Sequence, residues 1–187
     1  MNYQAIFERG LHYHDFLVKH GTADHRKRWE AMHKQIRLTK PQQELLAGFH
    51  REMKVICVAG TWCGDCVNQC PILDHFSQAS PKIDIHYFDR DTHSDLANEL
   101  SICGAPRVPS VLFLSEDYYP CGRYGDRTLS RYRQLGGQLM GEACSTGIVT
   151  AGEEEQLGMV VQDWLNEFER IQLMLRLSGR LRRMHGD

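Results

Sequence analysis

No run of apolar residues in this chain approaches the ~18 that a membrane-crossing helix needs, so no transmembrane span is expected. Excess charge of one sign is missing too. The 22 Lys and Arg stand against 24 Asp and Glu, a net charge of -2, so no global field points to a nucleic acid or a membrane surface. The first residues, Met1 to Arg9, have neither the basic start nor the apolar stretch of a signal peptide, which makes a cytoplasmic location the expectation. Internal repeats and low-complexity tracts are also lacking. What remains is an ordinary globular composition, 42% hydrophobic and 25% charged over 187 residues, enough for one domain or one domain with an appendage.

Cysteine, by contrast, is plentiful. The chain has seven, an odd number, and in a cytosolic context this argues against a disulfide framework and for redox or metal chemistry. Charge is unevenly spread. Residues 1–54 carry ten Lys/Arg, six Asp/Glu and six of the ten histidines, whereas residues 55–127 carry five Lys/Arg and ten Asp/Glu.

Helical spacing predicts a helix over 3–19, weakened by Gly10 and ended by Gly21, and a second over 24–37. Thr39, Pro41 and Gln42 have the pattern of a helix start, with Thr39 as N-cap, and that helix should run to about His50. The pattern then changes. Val55 to Ala59 is a short, β-branched apolar run of the kind found in buried strands. Helical spacing follows over 63–79, alternation at Ile83, Ile85 and Tyr87, and a short helix carrying Leu96 and Leu100 that Asp91 should cap. A second apolar strand, Val111 to Leu114, leads through a turn at 115–117 into a strand at 118–124 and then a helix. The order β-α-β-α-β-β-α over 53–135 predicts an α/β core with three parallel strands and one antiparallel hairpin strand. It would be preceded by an N-terminal helical extension, 1–52, and followed over 136–187 by a loop at 136–152 and a long helix at 153–177. Leu157, Val161, Trp164, Phe168, Ile171 and Leu175 make an apolar stripe on that last helix, which should pack on the core; a homodimer seam is the alternative.

Chemistry concentrates at Trp62-Cys63-Gly64-Asp65-Cys66, between the first strand and the helix after it. At a helix start, unpaired N–H groups and the helix dipole favour a thiolate, and typically lower a thiol pKa to ~3.5–7.5. The thiolate attacks a disulfide, and a second thiol one turn on resolves the mixed disulfide. Only the first cysteine is well exposed in such geometry, so Cys63 is the expected nucleophile and Cys66 the resolving thiol. Zinc sites use the same spacing, but the strand before and the helix after favour the redox reading.

The chain here resembles the thioredoxin superfamily. The Trp-Cys-Gly-x-Cys element matches at 62–66, and Pro71 stands where the family kinks its active-site helix. Val108-Pro109-Ser110 matches the family's cis-proline loop, and Gly125 a glycine near its substrate groove. The N-terminal extension with a Trp-Cys-Gly-Asp motif is similar to a bacterial, cytosolic branch of that superfamily, some members of which replace the second cysteine by alanine. The resemblance implies a thioredoxin-like fold and a protein-disulfide oxidoreductase contributing to redox homeostasis. Trp62, Gly64, Asp65, Val108 and Pro109 would line the docking surface. Substrates would be disulfide-containing proteins or small thiols, with electrons from a thiol donor or a reductase, and no bound cofactor or metal. A redox-inactive adaptor on the same fold is the alternative. Two departures stand out: Asp65 replaces the family's proline, and Cys57 the buried aspartate six residues before the first cysteine. A proton acceptor for Cys66 is therefore wanting, with Asp65 itself one candidate. Cys70 and Cys103 read as structural fillers, Cys121 and Cys144 have no nameable partner in the sequence, and the N-terminal histidines, His12 and His14 among them, read as solvated side chains.

Overall fold

The structure, a computed structural model, describes residues 1–140 and 153–187. Four short helices come first: α1 (Tyr3–Phe7), α2 (Tyr13–His20), α3 (Ala23–His33) and α4 (Lys40–Ala47). The core follows as β1 (Met53–Ala59), α5 (Gly64–Ala79), β2 (Ile83–Asp89), α6 (Ser94–Glu99), β3 (Ser110–Ser115), β4 (Pro120–Gly125) and α7 (Leu129–Met140). Two helices close the chain, α8 (Glu153–Leu177) and α9 (Gly179–His185).

One mixed sheet in the order β2-β1-β3-β4 forms the centre. β1 is buried along nearly its whole length, which is why its sequence reads as an unbroken apolar run. β2 pairs with β1 in parallel, from Met53 opposite Ile83 to Ala59 opposite Asp89. β3 runs antiparallel to β1, with Val58 opposite Ser110, so the expected third parallel strand is corrected. Residues 90–109, with α6 and the loop that ends at Val108–Pro109, deliver the chain to β3 beside the last residues of β1. The chain therefore turns round at the end where β1 and β2 finish. Asp91 is not the cap of α6 either: it pairs with Arg90, and His93 takes the cap position, while the Asp89 carboxylate accepts from the Thr92 N–H and hydroxyl.

Three further corrections concern helices. The stretch expected as one helix over 3–19 breaks between α1 and α2, where Leu11 pairs with Tyr87 and covers the free edge of β2. Gly10 permits that approach, since a Cβ there would lie 2.6 Å from His86 Cβ and 2.7 Å from the Phe88 ring. α3 stops at His33, short of the expected 37. Residues 136–140 belong to α7 rather than to a loop, and the rest of that predicted loop, with Cys144, lies outside the described residues. α4 starts as its sequence predicts, with a complete capping box between Thr39 and Gln42, and ends at Gly48.

The stripe on α8 is used within the chain. Trp164 meets Tyr124 edge-on at 4.9 Å, and Phe168 sits between Phe76 at 5.2 Å and Phe113 at 5.0 Å, both edge-on. Trp164 and Phe168 are fully buried. The Gln172 amide accepts from the His50 and Arg51 N–H groups and donates to the Arg51 carbonyl, fastening α8 to the lead-in of β1. Phe168→Ala should therefore cost ~3–5 kcal/mol, read as a lower urea midpoint, because a large side chain leaves a cavity between two rings.

Candidate active site

The dithiol sits where β1 ends and α5 begins. Cys63 is the N-cap of α5, with extended backbone, and its N–H donates to the Gly60 carbonyl at 3.0 Å. Cys66, one turn on, points into the core and is fully buried; the Gly60 N–H donates to its sulfur at 3.4 Å. Cys63 is half-buried, and its sulfur lies 3.5 Å from the Val108 carbonyl. The helix thus leaves one sulfur at the surface and seals the other beneath it.

The Val108–Pro109 bond beside Cys63 is cis. Both residues are buried, so this loop packs closely beside the outer sulfur. Gly125, opposite Ser110 in the sheet, closes the loop from behind. Its φ is +139°, and a Cβ there would lie 2.3 Å from the Pro109 carbonyl oxygen, so only glycine fits. Trp62 is 42% exposed, a flat apolar surface beside the sulfur, with the Arg90 guanidinium 4.4 Å over its ring. Gly64 is exposed with open space round it.

The two thiols titrate as a unit. Hydrogen bonding to Cys66, then burial, pushes the Cys63 thiol up. Burial opposes charge on Cys66 as well, but hydrogen bonds from Cys63, Cys70 and the Gly60 N–H outweigh it and bring Cys66 down to about 5. One proton is shared between two sulfurs: the first is lost easily, the second with difficulty. The reduced pair carries one charge between its two sulfurs, while access belongs to the outer one.

The Asp65 carboxylate lies 2.7 Å from the Arg127 guanidinium and 3.8 Å from Arg131, so its charge is met by arginines at the start of α7. Next to it, the buried Asp126 carboxylate accepts from Tyr132 and, at 3.1 Å, from Arg107, with Arg127 at 3.6 Å. Gln69 ties this cluster to the helices: it donates to the Asp126 carbonyl at 2.9 Å and accepts from Trp164 at 3.0 Å. Behind Cys66 the interior holds more sulfur. Cys57 and Cys70 are fully buried with sulfurs 4.0 Å apart, and burial pushes the Cys70 thiol well up. Cys103 is exposed in a turn, and Cys121 lies against the Tyr119 carbonyl.

The N-terminal helices reach the site through Thr61. The buried Trp29 on α3 donates to the Thr61 carbonyl at 2.8 Å. The Thr61 hydroxyl donates to the His20 carbonyl, and His25 Nδ1 meets it at 3.0 Å. Sequence reasoning missed Trp29, Thr61, Gln69, Asp126 and Arg127. Only the tryptophan, set in an otherwise charged helix, stood out from its neighbours.

A mixed four-stranded sheet with a dithiol at the start of its central helix defines a thioredoxin-fold protein. A family model described as Thioredoxin matches residues 10–131, and the chain belongs to that family. The structure is similar to that of a protein of unknown function from Pseudomonas aeruginosa, at 20% identity and a TM-score of 0.70, over 91% of this chain and 96% of that one. It is also similar to an HIV epitope-scaffold, at 21% identity and a TM-score of 0.64, over 90% of this chain and 99% of that one. No curated protein matches the chain significantly.

The Asp126 cluster makes a pH-dependent prediction. Burial alone would raise this carboxyl, but hydrogen bonds from Tyr132 and Arg107 outweigh it and hold the group below the usual carboxylate range. A depressed folded value gives stability that is present above an ordinary carboxylate pKa of ~3.9 and is lost as pH falls below it. Asp126→Asn should unfold ~1–3 kcal/mol more easily at neutral pH, and the gap to the parent should narrow in acid, as measured by urea denaturation across pH.

Proposed function

We propose that this protein is a cytoplasmic thiol–disulfide oxidoreductase of the thioredoxin type, with Cys63 as nucleophile and Cys66 as resolving thiol. The observation that carries the reading is the one-turn offset of the two sulfurs, one reachable at the cap of α5 and the other sealed below it. The substrate is a disulfide in a protein or a small thiol. It docks beside Trp62 and against the Val108–Pro109 loop, and a thiol donor or a reductase restores the dithiol. That cycle would contribute to redox homeostasis. Among the described residues no helix is long and apolar enough to cross a membrane.

The chemistry follows from the shared proton. With the shared proton on Cys66, Cys63 attacks one sulfur of the substrate as a thiolate. A Cys63–substrate disulfide forms, the substrate bond breaks, and the other half leaves as a thiolate. That thiolate takes up the Cys66 proton. Cys66 then attacks the Cys63 sulfur, forming the Cys63–Cys66 disulfide and releasing the second half of the substrate. Two electrons pass to the substrate and both its sulfurs leave reduced.

Insulin-disulfide reduction tests this. Cys63→Ser should abolish turnover, and Cys66→Ser should accumulate mixed disulfides visible by mass spectrometry; full activity in Cys63→Ser would overturn the reading. Alkylation with iodoacetamide supplies a second check. In the reduced parent its rate should rise with pH below the ~8.5 of an ordinary thiol, and Cys66→Ala should move that rise upward, because the partner sulfur that eases the first ionisation is gone.

A further inference from the structure

Away from the dithiol, at the edge of the sheet where β2 begins, three side chains of metal-binding type converge. Asp84 and His86 are two residues apart on β2 and so project from the same face. The break between α1 and α2 crosses this edge, pinned by Leu11 to Tyr87, and brings the exposed His12 alongside. The His12 and His86 rings lie 4.6 Å apart, edge to face. One ligand atom from each of the three residues lies within 4.8 Å of the other two.

The tautomer of His86 is dictated by its surroundings. Its Nδ1 is 2.6 Å from the Phe7 carbonyl oxygen, which can only accept, so Nδ1 carries a proton. The ring also stacks on Phe7, with centroids 3.9 Å apart, and cannot turn freely. Nε2 therefore faces Asp84 Oδ1, at 3.4 Å. In a neutral imidazole that nitrogen has only a lone pair to show to the carboxylate, and two acceptors face to face need a cation between them. A proton is one candidate and a metal ion the other. A carbonyl holding the far nitrogen of a histidine is the usual support for a metal ligand.

We propose that His12, Asp84 and His86 form a binding site for a divalent transition-metal ion of the Zn²⁺ class. Bonds of ~2.0–2.1 Å in tetrahedral geometry set ligand atoms roughly 3.3–3.4 Å apart, the spacing that Asp84 and His86 already have. His12, exposed and at the N-cap of α2, closes the remaining gap by side-chain rotation, and the fourth position faces water. Two nitrogens and a carboxylate oxygen suit zinc rather than calcium or magnesium, which prefer oxygen alone. Lys54 holds the other carboxylate oxygen at 3.1 Å, which orients Asp84 and leaves Oδ1 to the metal, while its charge limits affinity. Read from sequence, His12 stands with His14, on a diverging direction, and with His20, His25 and His33 further along; the strand across the break supplies closer partners. Lys54 and Ala59 are five residues apart on β1, so the site lies roughly 17 Å along the sheet from the end that bears Cys63. It is independent of the dithiol reading.

Zn²⁺ titration calorimetry on the full chain, with accessible thiols alkylated beforehand, tests the site. The parent should bind one Zn²⁺. His12→Ala should weaken binding by more than about tenfold. Its exposed side chain makes unfolding no explanation for the loss, and Asp84→Asn should do the same at nearly constant shape. Absence of binding by the parent, or binding that His12→Ala leaves unchanged, overturns the proposal. In either case His86 and Asp84 share a proton instead.

Discussion

Cys66 enters the core on the first turn of α5 while Cys63, its cap, stays at the surface, and that offset governs the rest of the structure. A buried thiolate is costly unless donors meet it. Here the Gly60 N–H donates to the Cys66 sulfur, with the Cys63 and Cys70 thiols one turn to either side along α5. Those donors hold station only if the loop 60–63 and the helix behind it are fixed. Thr61 is gripped from one side by Trp29 and His20, and Gln69 from the other by Trp164 and the backbone of Asp126. The extensions at both ends of the chain thus meet at the active-site helix.

The motif's aspartate takes its meaning from its neighbours. Alone, an anion beside Cys63 would oppose the thiolate that the helix start favours. Paired with Arg127 and near Arg131, it adds little net charge at the sulfur and instead joins α5 to the start of α7. The missing buried carboxylate is likewise answered by sulfur. Cys57 stands at its position, its sulfur 4.0 Å from that of Cys70 and both fully buried behind Cys66.

Much of this was legible in the sequence, for physical reasons that can be named. β1, α5, the capping box of α4 and the span of α8 announce themselves through apolar period and cap chemistry, which are local. So does the dithiol, whose spacing and flanking elements sit within a few residues. The direction of β3 was misread because it depends on which end of β1 the segment 90–109 returns to, and the break at Gly10 because it depends on what crosses there. The residues that grip the site act across long separations: Trp29 to Thr61, Gln69 to Trp164, Arg127 to Asp65. No local pattern encodes such pairs. His12 is the same case, since its neighbours on β2 lie more than seventy residues away in the chain.

The most direct test is a redox titration of the purified protein against glutathione buffers, with free thiols alkylated and counted by mass. The account predicts a single reversible two-electron transition, falling somewhere in the ~-120 to -270 mV span of thioredoxin-fold enzymes and confined to Cys63 and Cys66. A titration with no reversible transition at that pair, or one that persists in Cys63→Ser, would contradict it.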